Sequence, residues 1–491
     1  MSCTSKKNSF DNADRTVLVN ALQQQAQLVA NTSYSSKANI ELLKNKNTYT
    51  VTTGHQLCLV TGPLYFIYKI VSTINLCKTL SEQSTDKQFV PVYWMASEDH
   101  DFEEVNHLHT FGKTLSWETK QKGSVGEFNT TGISEVIEEL KTILGDNDNA
   151  KSIIQVIETA YLNYTNLADA TRYLCNELFG EFGLIVLDGN DASLKALFKN
   201  EFTADAFENT SVNYVNKTIT DLSKNYSTQV TPRDINIFYK ENGLRERIEK
   251  VGEIYQVINT DIKFTKKELE KLIETEPGKL SPNVVLRPLY QQKILPNVAY
   301  VGGPGELAYW LEYKTMFEAY KLAMPVLVPR HFVMLVDKGT QNKLQKLNLQ
   351  LQDVFTDGEE LIKQFIKNEH ADVHLENEKT KLTETFTEIL KSVMLIDKTL
   401  VGTVEAEKQK AINGIATIEQ KINRALKQKS ETDINQIWSI KGKLFPHNNP
   451  QERYDNFTMY YAKFGKPLVN ELVEQLSYDL NEFNYTILLE N

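Results

Sequence analysis

Residues 49–96 read YTVTTGHQLCLVTGPLYFIYKIVSTINLCKTLSEQSTDKQFVPVYWMA, and three successive pieces of this stretch decide the fold class. Tyr49–Thr53 is β-branched and aromatic, Gly54–Gly62 is a loop bracketed by glycines, and Pro63 stands where helices begin, predicting a helix from about Pro63 to Leu80. Val90–Ala96 is then a continuous apolar run, the pattern of a strand covered on both faces. Strand, helix and strand in that order form a βαβ unit, whose long crossover makes the two strands parallel.

The pattern recurs at Gly183–Leu187 before Asp188-Gly189-Asn190, at Ala299–Val301 before GGPGE, and at Pro325–Val328 before Pro329-Arg330. Five strands thus run into polar or glycine-rich loops. Ligands of open α/β sheets bind beyond the carboxyl ends of the strands, so these loops should converge on one site. Between Thr231 and Ile258 the helical period gives way to alternation, as in Ile235–Tyr239 and Ile254–Ile258, which predicts a small antiparallel insertion acting as lid or connector.

After Lys338 the chain turns helical and charged. Leu382, Phe386, Ile389, Val393 and Ile396 form one apolar stripe; Val401, Val404, Ala411, Ile415, Ile418, Ile422 and Ala425 form another, with Lys408 the one charge in the seam. A break at Asp397–Thr399 makes the pair an antiparallel coiled-coil hairpin, although helices of an ordinary bundle share the period. The expected fold is therefore α/β, a Rossmann-like parallel sheet core with helical and small antiparallel insertions and a C-terminal coiled coil. The first part of the core is placed in residues 1–120, and a helical segment, a core strand and the insertion in 121–280. The second part of the core follows in 281–371, the hairpin in 372–440, and a segment returning to the core in 441–491.

At 491 residues about three structural units are expected. Lys and Arg number 54 against 64 Asp and Glu, a net charge of −10 that repels a phosphate backbone and argues against nucleic acid as a partner. The opening MSCTSKKNSF has no apolar run behind it, and the most apolar later stretch, around Leu57 to Leu76, is broken by Pro63 and Lys69, so neither export nor a membrane span is expected. Cys3, Cys58, Cys77 and Cys175 show no CxxC spacing and read as reduced thiols in a cytoplasm.

Beyond the first strand, His55 and Gln56 offer an imidazole and an amide suited to anion or carboxylate binding, although histidines in such places are more often satisfied by neighbouring backbone. Lys69, on the following helix, either reaches the same crevice or snorkels to solvent. The densest cluster is SEDHDFEEVNH at 97–107. If it turns helical after Asp101, then His100, Glu104 and His107 share a face, as a metal site or acid–base chemistry would need. Because Glu-x-x-His matches are common, the stronger expectation is that these carboxylates bind an amino group and accept its proton. Farther on, the glycines of GGPGE let backbone approach a ligand, the helix starting near Glu306 offers free N–H groups, and Arg287 and Arg330 suit bidentate carboxylate recognition. Neither GxGxxG nor a Walker motif is present.

The motifs TTGHQLCLVTGPLYFIYK (52–69), PVYWMASEDHDFEEVNH (91–107), LRPLYQQKILPNVAYVGGPGELAYW (286–310), PVLVPR (325–330) and KLFPHNNPQER (443–453) resemble, in order and over nearly the whole chain, the bacillithiol biosynthesis cysteine-adding enzymes. The resemblance implies a Rossmann-like core with a C-terminal coiled coil, and a ligase adding L-cysteine to glucosaminyl malate to form bacillithiol. One departure stands out, since many relatives carry Gly-Gln-Gln where this chain has Gly54-His55-Gln56. An amide that serves there would donate a hydrogen bond rather than shuttle a proton. The family core is also similar to class I aminoacyl-tRNA synthetases, yet HxGH and KMSKS are missing, so ATP as the activating nucleotide is inferred from the chemistry alone.

On this reading Glu98, Asp99, His100 and His55 do chemistry, while Gln56, Lys69, Arg287, Gly302, Gly303, Glu306, Tyr309 and Arg330 bind substrate. No metal is expected beyond Mg accompanying a nucleotide, and the hairpin is expected to make a homodimer. The rival classes are a metal-dependent hydrolase built on the 97–107 cluster and a coiled-coil interaction protein.

Overall fold

The computed structural model describes residues 13–369, 375–429, 431–478 and 482–489; Cys3 and the expected boundary at 371/372 lie outside them. The described residues form two compact units, one of those up to Met334 joined by those of Glu452–Ile487, the other of those of Leu335–Gln451 with residues 488 and 489.

The first unit is built on five parallel strands, Thr48–His55, Gln88–Met95, Ile185–Asp188, Asn297–Gly302 and Val326–Pro329. In space they lie fifth, fourth, first, second, third. Strand order reverses between the first and the fourth, which opens a crevice at their carboxyl ends. The first strand is buried from Thr48 to Gly54, as a parallel strand covered on both faces must be. Its crossover helix, Tyr65–Glu82, is buried without interruption from Phe66 to Cys77, so its apolar surface runs all round rather than along one stripe.

The loop between them is strained, with Val60 at φ 47° and Thr61 at φ 68°, a region β-branched residues avoid. Asn456, in the returning segment, holds it by donating from one amide nitrogen to the carbonyls of Val60 and Gly62, both at 2.7 Å. Those bonds satisfy carbonyls that a buried, irregular turn would otherwise leave unmade.

The antiparallel insertion is larger than expected. Leu280–Pro282, Ile237–Glu241, Leu244–Val251, Ile254–Val257 and Lys263–Thr265 lie side by side in one antiparallel sheet. Asn242-Gly243, at φ 49° and 77°, makes one of its two-residue hairpin turns, which need such positive φ values. Because Leu280–Pro282 closes the sheet against Ile237–Glu241 from nearly 40 residues away, local alternation could not reveal it.

In the second unit, helices Glu376–Ile396 and Val401–Lys429 form the hairpin, joined through a short 3-10 turn at Lys398–Leu400. Lys379 crosses between them to Glu419 at 2.7 Å. Leu382, Phe386, Leu390 and Val393 are half-buried along the seam, whereas Ile389 and Ile396 of the expected stripe are exposed. With Met394, Leu395 and Leu400 they leave apolar surface at the hairpin's tip and flank.

Candidate active site

Residues at the carboxyl ends of the five core strands line one cavity of about 910 Å3 in the first unit: Gly54 to Gln56, Ala96 to His100, Gly189 and Asn190, Gly303 to Glu306, and Arg330. Phe238, Arg245 and Asn283 from the antiparallel sheet and its flank close another wall. Eleven of the twelve residues given chemical or substrate-binding roles from sequence line it, the exception being Gly302. A Cβ on Gly302 would come within 2.8 Å of Leu307, so that glycine serves packing rather than the close approach of a ligand.

At the strand-order reversal an ion pair between a buried lysine and a half-buried glutamate organises the floor. Lys69 donates to Glu306 at 2.7 Å and to the Gly54 carbonyl. Glu306 also accepts from the Gly303 N–H and the Tyr300 hydroxyl, both at 2.9 Å, so it fixes the GGPGE turn at the head of helix Pro304–Leu311. Burial lowers the Lys69 pKa, Glu306 opposing and Arg330 and Arg287 adding to the shift. Burial would raise that of Glu306, but Lys69 and the two hydrogen-bond donors outweigh it and hold the carboxyl below its ordinary range. Glu306, expected to meet substrate, is thus engaged internally. Arg287 is different: it lies near the faces of Tyr300 and Trp310 and donates to Gln291 at 3.1 Å, with no carboxylate in ion-pair contact among the described residues. Tyr309 lines the cavity beside it.

On the facing side, residues 97–106 form turns and not a helix, because Phe102 is wedged between Trp117 and Phe128, with centroids 5.2 and 5.3 Å away. His107 begins a hairpin strand, so His100, Glu104 and His107 do not share a helix face. Among the described residues no three His, Cys, Asp or Glu side chains are grouped to hold a metal ion. The amide of Gln56 instead donates to Asp99 at 2.8 Å and to Glu104 at 2.7 Å, drawing two carboxylates to the cavity wall. His100 Nδ1 accepts from Arg245 at 2.7 Å. Glu98 accepts through Oε1 from the fully buried Lys195 at 2.5 Å.

Family comparisons agree with this architecture. The model described as "Bacillithiol biosynthesis BshC, N-terminal Rossmann-like domain" matches residues 2–331, and "Bacillithiol biosynthesis BshC, C-terminal coiled-coil domain" matches residues 333–488. The chain belongs to the BshC family. Proteins named "Putative cysteine ligase BshC" are similar to it: one from Flavobacterium psychrophilum is 42% identical over 96% of this chain and 89% of its own length. Others from Flavobacterium johnsoniae and Christiangramia forsetii are 41% and 39% identical over 98% and 99% of this chain and 91% of theirs. A Campylobacter jejuni chain described as a "putative arginyl t-RNA synthetase" aligns with a TM-score of 0.22 at 9% identity over 91% of this chain and 98% of its own, too slight a likeness to argue from.

Three residues of this BshC chain stand in environments the sequence did not disclose. Arg330 is buried and grips Glu452 with both terminal nitrogens, at 2.8 and 2.6 Å, while Glu452 also accepts from the Val333 N–H at 3.2 Å. Its guanidinium fastens the returning segment while lining the same cavity. Glu452 sits in the late PQER motif, whose role no local pattern discloses. Lys195 was missed for the same reason: it is one lysine in a short helix, and only the fold shows it is buried.

His55 is held by burial, with Lys69 adding to the effect, at a pKa of about 4, so the ring is neutral at pH 7. Its Nδ1 lies 2.8 Å from the Gln56 carbonyl, which can only accept; Nδ1 therefore carries the hydrogen and Nε2 is left as acceptor. Since an unfolded histidine takes up a proton near pH 6.5 and this one resists until about 4, unfolding binds a proton between those values and stability falls as pH falls through that window. This single ring should contribute about 3 kcal/mol of acid destabilisation or less. Urea titrations at pH 7 and pH 4 should show a smaller loss for His55→Gln than for the parent; identical losses would mean the ring is not buried in its neutral form.

Proposed function

We propose that this chain is the ligase that joins the carboxyl group of L-cysteine to the amine of glucosaminyl malate, forming bacillithiol. Family membership supports the chemistry, and one observation of the site carries the assignment: a single cavity offers Arg287, in ion-pair contact with no carboxylate among the described residues, on one side and Glu98, Asp99 and Glu104 on the other. Glucosaminyl malate carries two carboxylates and one amine, so its charges match that separation. Arg287 would take a malate carboxylate in a charge-assisted pair. Glu98, one oxygen on Lys195 and the other without a hydrogen bond among the described residues, would accept the proton that the amine loses as the C–N bond forms.

A carboxylate does not condense with an amine in water unless its oxygen is first made a leaving group, and ATP, with its Mg, is the proposed source of that activation. Lys69 and the N–H groups at the head of helix Pro304–Leu311 would face the negative charge so produced. The three described cysteines are free and buried, and no helix among the described residues is long and apolar enough to cross a membrane, which fits the proposed cytoplasmic setting. Saturating glucosaminyl malate should raise the melting temperature, by mass action on the folded state, and Arg287→Met should remove most of that rise. No shift with the parent protein would count against this substrate.

A homodimer through the hairpin belongs to the same proposal. Leu395 and Ile396 are 89% and 82% exposed and Met394 54%, apolar area that a second copy can cover. Deleting residues 376–430 and bridging the gap with a short linker should yield a monomer in light scattering, whereas an unchanged dimer would assign assembly to another surface.

A further inference from the structure

Beside the cavity lies a set of charges, its two lysines buried, that substrate binding does not require. Lys195, 0% exposed, donates to Glu98 at 2.5 Å, to the Asn190 side-chain oxygen at 3.2 Å and to the Gly278 carbonyl at 3.3 Å. The same Asn190 oxygen accepts from Lys240 at 2.8 Å, and Lys240 donates to Glu127 at 2.5 Å. Asn190 closes the set by donating to Glu127 at 3.1 Å. Charges therefore run negative, positive, neutral amide, positive, negative, with each ammonium balanced by one carboxylate. Glu98 and Asn190 line the cavity, whereas Lys195, Lys240 and Glu127 do not.

These residues come from separate parts of the fold. Glu98 follows the second core strand, Asn190 the third, Lys195 belongs to helix Ala192–Ala196, and Lys240 to strand Ile237–Glu241 of the antiparallel sheet. Two ammonium groups sharing one amide oxygen repel each other, so each is held by its own carboxylate, and moving one member disturbs the rest. Burial and Lys240 both act to lower the Lys195 pKa, opposed by Glu98.

We infer that the chain Glu98–Lys195–Asn190–Lys240–Glu127 couples the antiparallel sheet to the cavity, making Lys195 and Lys240 positioning residues that set where the Glu98 carboxylate meets the substrate amine. The inference rests on Glu98 acting as proton acceptor in amide formation. Lys240 is its sharpest test, being three links away from Glu98 and outside the cavity.

Lys240→Met should lower kcat about 10- to 100-fold, the range a displaced reacting group produces, with the KM for glucosaminyl malate within about twofold of the parent. Amide hydrogen exchange across residues 97–104 should quicken in that variant. Lys240→Arg, which keeps a cation there, should recover most of both properties. In a Glu98→Gln background, Lys240→Met should cost little more, because the carboxylate it positions is gone. A folded Lys240→Met enzyme with parental kcat, or a kcat loss accompanied by parental exchange at 97–104 and full additivity with Glu98→Gln, would overturn the inference. If the parent protein makes no amide, the functional reading fails, and the exchange comparison still decides whether the sheet and the 97–104 loop are coupled. Should Lys240→Met not fold, Glu127→Gln at the half-exposed end of the chain should show the same pattern with smaller amplitude.

Discussion

Replacing Arg330 with alanine should lower the stability of the Rossmann-like unit by about 3–5 kcal/mol, the loss found when one partner of a buried ion pair is removed. The size follows from what remains behind. Glu452 is 5% exposed, and without the guanidinium its charge would keep only the Val333 N–H. Arg330→Lys restores the charge but replaces two parallel hydrogen bonds with one, so it should recover part of the loss. Replacing both partners, as Arg330→Met with Glu452→Leu, should be much milder than either single change, because no lone charge is then buried. Urea midpoints for the four proteins check the pattern. Had Arg330 held substrate, as its place beyond a core strand suggests, alanine would instead raise KM and leave the midpoint unchanged.

Glu98→Gln should leave the fold intact and lower kcat by about 10²–10⁴, the contribution of a positioned general base. Glutamine has the same shape and its oxygen can still accept from Lys195, but the buried ammonium loses its counter-charge, so a lower urea midpoint should accompany the loss of kcat. Steady-state kinetics with glucosaminyl malate varied separate kcat from KM. Parental kcat in the folded variant would move the proton-accepting role to Asp99 or Glu104, which Gln56 holds on the same wall.

The convergence of five loops was legible because it follows from a rule about parallel sheets: once buried strands and their crossovers are recognised, the ends that carry ligands are fixed. That is why His55, Gln56, Lys69, Arg287 and Glu306 could be named from sequence and line the same cavity. What each side chain touches was not legible. Arg330 and Glu452 are 122 positions apart, and Lys195 and Glu98 are 97, so their pairing depends on tertiary burial that no local spacing encodes. The helix imagined after Asp101 failed because the packing of one aromatic, Phe102, outweighs the spacing of the charged residues around it. Likewise the hairpin seam runs through Leu390 where heptad counting chose Ile389, since neighbouring apolar residues leave the register open until two helices meet.

The most direct test of the account is to incubate the purified chain with L-cysteine and glucosaminyl malate, with and without ATP and Mg, and to follow the amide product by mass. The account predicts the mass of bacillithiol, at a rate that depends on nucleotide and falls in Glu98→Gln. Folded protein that binds glucosaminyl malate yet forms no amide with any nucleoside triphosphate would contradict it.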